Sequence, residues 1–307
     1  SLLMLQRTTP EDGALVRSPG QRGPAGSGVY PTLARLGIVD RSTPALREAV
    51  ARQVAASNSI GAARTALARQ GIVIDHKAAL RYTYAFGGAA IQARTHAFSV
   101  GGDDAPAAGI QNAHVVVSLD GGRIRLKENA PEKAEDTRSY AAKWREPKVM
   151  TIYVVKENGR RDTRINAVID GTLGDADQIA ALLVGHLRLL GVQHAASVTF
   201  VADGGSWIWT RTSEIRKAAG IKEERWFERL DYYHAVEYLG RFAEAIGMAE
   251  ADRHQWLDDR KSSLIAGDVD SILSAIRGAD ENATTAIAYF ETHRPRLQYH
   301  LGRDQGR

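Results

Sequence analysis

Residues Ser197–Trp209 read SVTFVADGGSWIW. Ser197–Ala202 is small or β-forming, and it leads into Asp203, two glycines and a segment with two tryptophans. Val, Phe and Thr in such a run suit a strand buried in a sheet. An acid at its end, with the next two positions stripped of side chains, reads as a carboxylate with cleared space around it. The pattern has a counterpart upstream. His114–Leu119 (HVVVSL) is a nearly continuous apolar run that ends on Asp120 and is followed by Gly121 and Gly122. It has the look of a strand buried on both faces.

The sequence between these stretches says how they meet. After RIRLK come Lys148–Lys156 (KVMTIYVVK) and Thr163–Asp170 (TRINAVID), joined by the polar turn ENGRRD, which together with 113–120 read as an antiparallel meander. An amphipathic helix follows. Asp175 or Asp177 caps it, Ile179, Leu182, Leu183, Leu187 and Leu190 line one side, and Gly191 stops it. His186 shares that stripe and reads as a core-edge histidine. A crossover of this length can lay 197–203 parallel beside 113–120. Beyond it the pattern gives a helix over about 206–218, a short strand through WFERLD, and helices from Tyr232 onward, broken at GD (267–268) and GAD (278–280).

Two neighbouring parallel strands would then each end on aspartate, Asp120 and Asp203. Paired carboxylates repel unless a hard divalent cation lies between them, and oxygen ligands suit Mg²⁺ or Mn²⁺. One Asp-Gly-Gly is most simply a strand end and a turn. Two of them on strands expected to be neighbours point to a site, with the glycines making room for a phosphodiester.

The N-terminal third has another character. Residues 1–30, rich in Gly, Pro, Ser and Arg, read as a flexible arm. Thr43 caps a helix that has Pro44 at its first position and Leu46, Val50 and Val54 on one face. A second helix carries Ile60, Ala63 and Leu67 and ends at Gly71. Asp75 caps a third with Lys77, Leu80, Arg81 and Tyr84. Three short helices with a brief turn fit a helix-turn-helix, with Lys77 and Arg81 as DNA contacts, and equally a plain three-helix bundle. The stretch GGDDAPAAG (101–109) reads as a linker.

Composition narrows the classes. The chain of 307 residues contains no cysteine, which excludes disulfides, thiolate zinc sites and cysteine nucleophiles and fits a reducing cytoplasm. No apolar run has membrane-spanning length, so no membrane partner is expected. The sequence opens on Ser1, as a fragment would. Net charge is +4, but residues 1–100 hold 12 Arg and Lys against 5 Asp and Glu, leaving 28 against 31 for the remainder. A basic front on a slightly acidic body points to a polyanion, nucleic acid above all.

LDGGRI, ADGGSWIW and LDYYHAVEYL (230–239), in this order and spacing, resemble the DDE transposases of bacterial insertion sequences, in particular the Kra-type elements. GVYPTLARLGIVDRSTPALREAVA and YFETHRPRLQYH extend the resemblance over about residues 28–300. It implies an α/β, RNase H-like mixed five-stranded sheet with flanking helices, preceded by a small helical DNA-binding domain and followed by a helical insertion. The boundaries expected are 1–30 for the arm, 31–110 for the helical domain, 111–231 for the catalytic core and 232–307 for the insertion. It further implies two Mg²⁺ (or Mn²⁺) at Asp120 and Asp203, and cleavage and joining of double-stranded DNA at element ends and target by a homo-oligomer on DNA.

Asp231 and His234 match the family's D-x-x-H element, with Glu237 a turn further along the same helix face. A surface pair with Arg241 competes for Glu237. Trp207 and Trp209 do not share a helix face, so one is expected to pack on the sheet and the other to be available to a DNA base. The family's third metal-binding glutamate belongs on a helix beyond the part resembling YFETHRPRLQYH. Glu237 and Glu291 match it poorly, so the chain is expected to be inactive alone. The competing readings are a DNA-binding remnant that no longer cuts and another RNase H-like nuclease such as a resolvase.

Overall fold

The computed structural model describes residues 31–38, 42–101, 106–128 and 141–303. The arm read at 1–30 lies outside them. The described residues through His96 and those from Ala97 onward form two compact units.

In the first unit, α1 (Pro31–Arg35) is followed by three helices that begin on side-chain caps. The Thr43 hydroxyl accepts the Leu46 N–H at 3.2 Å and starts α2 (Pro44–Ala55). Ser59 accepts from Ala62 at 3.1 Å and starts α3 (Ile60–Arg69). Asp75 accepts from Ala78 at 2.9 Å ahead of α4 (His76–Val100). Each cap satisfies an N–H that the helix itself leaves unpaired. Val50, Leu67, Ala79 and Tyr82 form their common core. The last helix is not short but 25 residues long. Gly87 and Gly88 weaken it by about 1 kcal/mol each relative to alanine, but no proline stops it.

The second unit is built on β1 (His114–Gly121), β2 (Ile124–Glu128), β3 (Ala141–Arg145), β4 (Lys148–Val155), β5 (Val168–Thr172), β6 (Ser197–Ala202) and β7 (Trp226–Leu230). The main sheet has the order β5-β4-β1-β6-β7. The β4 strand pairs antiparallel with both β1 and β5, while β1–β6 and β6–β7 are parallel. Three antiparallel strands extended by two parallel ones make an RNase H-like sheet. A separate hairpin, β2–β3, stands outside it.

Val115, Val117 and Leu119 are buried, whereas Val116 and Ser118 are half-covered and Asp120 is exposed. So β1 is fully buried on one face only. That face packs on α5 (Ala176–Leu189), whose Ile179, Leu183 and Leu187 meet Val117, Val198 and Phe200 in one core. Asp175 caps α5 by accepting from Gln178 at 2.9 Å, and Gly191 ends it at φ 68°, a left-handed conformation that favours glycine.

Two boundaries differ from the sequence reading. Residues 163–167 are turn and coil because Asp162 accepts both the backbone and guanidinium N–H groups of Arg164, so β5 begins only at Val168. The helix expected over 206–218 is two, α6 (Ser206–Trp209) and α7 (Thr212–Ala218). Between them the Arg211 guanidinium takes the Trp207 carbonyl at 2.8 Å and Asp177 at 2.7 Å.

In the stretch read as a linker, 102–105 lie outside the described residues. The remainder is packed: the Ala107 N–H donates to the Leu190 carbonyl at 3.0 Å, and Ile110, just beyond, is buried in the sheet core.

From β7 the chain enters α8 (Tyr232–Ala245), α9 (Glu250–Ala266), α10 (Val269–Ala279), α11 (Thr284–His293) and α12 (His300–Arg303). Leu230, Leu239, Leu264, Ile272, Ile276, Phe290 and Leu297 form a second core. Gly267 ends α9 at φ 70°, and Asp268 caps α10 by accepting from Ser271 at 3.0 Å. Among the described residues no helix is long and apolar enough to cross a membrane.

Candidate active site

The parallel register fixes the geometry. Leu119 pairs with Ala202 and Ala202 with Leu230, and Asp120, Asp203 and Asp231 each follow these last parallel pairs by one residue. Adjacent strands are about 5 Å apart, and side chains alternate between faces. Leu119 and Ala202 point into the core. Asp120 therefore belongs to the opposite face, with Ser118, Val201 and Arg229, while Asp203 and Asp231 lie just past the ends of β6 and β7. A cleft of about 480 Å³ opens beside Asp231, lined by Thr199, Val201, Phe227, Arg229 and Tyr233 among others, with neither Asp120 nor Asp203 in its lining.

The three acids differ in their commitments. Asp120 is exposed and makes no hydrogen bond or ion pair among the described residues. Asp203 is half-buried and accepts the Gly205 N–H at 2.8 Å through Oδ1. Asp231 accepts the His234 N–H at 2.9 Å and is the N-cap of α8.

The remaining residues of the D-x-x-H element turn elsewhere. His234 lies 4.0 Å from Glu237, which pairs with Arg241 at 2.6 Å on the exposed side of α8. Glu291 pairs with Arg277 at 3.0 Å. Among the described residues no group of three or more His, Asp or Glu side chains is placed to hold a metal ion.

Of the glycines that follow the two aspartates, Gly122 is open, whereas the protein's own side chains close over Gly121 and Gly204. A Cβ on Gly121 would lie 2.8 Å from Glu146 Oε1, and one on Gly204 would lie 2.5 Å from the Tyr289 ring. Glu146 lies 3.9 Å from the buried Lys148, whose ammonium sits 5.3 Å from the centre of the Trp207 ring. Trp209 packs edge-on against Phe200 and donates its indole N–H to the Asp203 carbonyl at 2.8 Å. Both tryptophans are half-buried. In the helical unit Lys77 and Arg81 lie on the exposed side of α4, with the Arg81 guanidinium 5.3 Å from the centre of the Tyr82 ring.

Electrostatics around the row of acids follow burial first and their negative charge second. Burial pushes the Tyr289 hydroxyl well up, and Tyr238, Asp203 and Asp231 add to it. Burial raises Tyr153 too, with Arg161 opposing and Asp231 assisting. Burial lowers His293, and Arg296 lowers it further, while the Gly204 backbone and Asp203 act against them.

Tyr289, His293 and Arg296 pack on Gly204 and Trp209 beside Asp203, and no local pattern in the sequence marks them. Their only signal was their place in YFETHRPRLQYH.

The sequence matches no protein-family model and no curated protein. Among solved structures it is similar to a chain of the Drosophila P element transposase strand transfer complex. The identity is 12% and the TM-score 0.32, over 86% of this chain and 67% of that one.

Proposed function

We propose that this chain is a DDE-type transposase of a bacterial insertion element, of the Kra type that its motifs resemble, acting on DNA phosphodiesters with Mg²⁺ or Mn²⁺. The observation that supports the proposal is the parallel pairing of β1 with β6 in an RNase H-like sheet, with Asp120 and Asp203 each one residue beyond the last pair, Leu119 with Ala202.

The donor chemistry fits a hard divalent ion. Asp120 has its carboxylate unengaged among the described residues, and Asp203 gives one oxygen to an N–H. Two such carboxylates can hold Mg²⁺, whose remaining positions go to water and phosphate oxygens. When bound, the ion would polarise the phosphodiester and lower the pKa of a water or 3′-hydroxyl. The chain's own part is to keep Asp203 fixed through the Gly205 N–H and the Trp209 indole, and to offer Lys77 and Arg81 to the DNA backbone.

The test is calorimetric titration of the 307-residue chain with Mn²⁺, together with nicking of a labelled duplex. Binding is expected, and it should be lost in Asp120→Asn and in Asp203→Asn. Nicking should be slow, because placing a second ion needs a further carboxylate, and Asp231 caps α8 while Glu237 and Glu291 are paired elsewhere. Mn²⁺ binding unchanged in both variants would overturn the proposal. That same commitment of the remaining acids favours a second reading, a DNA-binding remnant, which intact metal binding with no nicking would select.

A further inference from the structure

The segment Tyr289–His300 supplies no metal ligand, yet it converges on the turn that carries Asp203. The Tyr289 ring covers Gly204 so closely that a Cβ there would approach its Cε2 to 2.5 Å. His293, 4% exposed, lies between that ring and Trp209, with centroids 4.8 and 6.0 Å away. The Arg296 guanidinium sits 4.3 Å from the centre of the Trp209 ring and donates through Nε to Glu228 of β7 at 2.9 Å. Trp209 in turn holds the Asp203 carbonyl. The Tyr299 hydroxyl donates to the Leu230 carbonyl at 2.9 Å, one residue before Asp231.

A carboxylate useful to a metal needs a fixed backbone beneath it, and a Gly-Gly turn is the least able to supply one. Here the stiffness comes from a distant part of the chain. We propose that Tyr289 and Arg296 are positioning residues for Asp203. Tyr289 presses on Gly204, and Arg296 clamps Trp209 against the Asp203 carbonyl. The inference rests on the metal-binding reading of Asp203, but half of its test is independent of any metal.

The experiment compares the full chain with Arg296→Lys, Gly204→Ala, Tyr289→Phe and Asp203→Asn. It uses Mn²⁺ calorimetry and amide hydrogen exchange at residues 203–206, with far-UV circular dichroism as the fold control. Arg296→Lys keeps the charge but loses the flat guanidinium over the indole, and Gly204→Ala drives the Tyr289 ring off the turn. Each is expected to weaken Mn²⁺ binding by about 10-fold, the order seen when groups supporting a metal ligand are removed. Each should also speed exchange at Gly204 and Gly205 while leaving β6 protected. Tyr289→Phe keeps the ring that presses on Gly204 and should weaken Mn²⁺ binding less than Gly204→Ala does.

Unchanged affinity and exchange in Arg296→Lys and Gly204→Ala would overturn the clamp. Should Gly204→Ala fail to fold, Arg296→Lys decides alone. If Asp203→Asn leaves Mn²⁺ binding intact, the metal reading fails, and exchange at the turn still tests the clamp.

Discussion

The Tyr289 hydroxyl is buried with no hydrogen-bond partner among the described residues, although its ring is stacked on Tyr238 at 3.9 Å. An unpaired buried hydroxyl costs about 1–3 kcal/mol of desolvation. Tyr289→Phe should therefore raise the thermal midpoint by a few degrees, roughly 2–4 °C per kcal/mol for a domain of this size; a fall of that size would show that the hydroxyl has a partner. His293 makes a pH prediction. Burial and Arg296 hold its pKa below the ordinary 6.5, against Asp203, with His234 also repelling. Native His293 thus stays neutral where the unfolded chain's histidine is already protonated. Below about pH 6.5 the unfolded state binds more protons, so stability falls as pH drops from there towards the native pKa. Urea midpoints at pH 7.5 and 5.5 should diverge less in His293→Gln than in the parent. The strand ends before Asp120 and Asp203 were legible at this scale because Asp-Gly-Gly occurs twice after an apolar run. Tyr289, His293 and Arg296 were not, since only the folded chain brings α11 to the end of β6.

Helices and strands explain which elements the sequence disclosed. Caps were readable at Thr43 and Asp75, and at Asp175 as one of two candidates, whereas those at Ser59 and Asp268 were not marked in advance. The strands β4, β6 and β7 were readable because their cores are Val, Ile, Phe or Trp. In contrast β3, AAKWR, carries little β signal, and its pairing with β2 is what makes it a strand. The start of β5 and the break before α7 were hidden because both depend on arginine side chains, Arg164 and Arg211, competing for backbone or carboxylate groups. Asp231 shows how an element's need can be separated from a site's. As the N-cap of α8 it should be replaceable by asparagine, which caps as well, whereas alanine should cost about 1 kcal/mol. If Asp231→Asn keeps the urea midpoint but loses whatever nicking the chain shows, the carboxylate acts in the chemistry. If Asp231→Ala alone is impaired, the residue serves the helix.

For the molecule as a whole, charge and compactness divide at the same place. Through His96 the sequence holds 12 Arg and Lys against 5 Asp and Glu; from Ala97 onward it holds 28 against 31. Binding to a phosphate backbone is driven by release of condensed counterions, so affinity falls with salt by a log–log slope of about 0.9 for each phosphate neutralised. A body with net charge −3 has no general attraction for that backbone, while the front, at +7, does. Residues 97–307 contain the whole sheet and both of its cores, so they should fold when produced alone. Their affinity for a 30-base-pair duplex of arbitrary sequence at low salt should fall at least about 10-fold below that of the full chain, with a shallower salt slope. Lys77→Ala with Arg81→Ala in the full chain should lower the slope by up to about 2, one unit for each phosphate no longer neutralised. Fluorescence anisotropy over a series of salt concentrations measures both quantities. Equal affinities and slopes for the full chain and for 97–307 would put the DNA-binding surface within residues 97–307, leaving the helical unit another role.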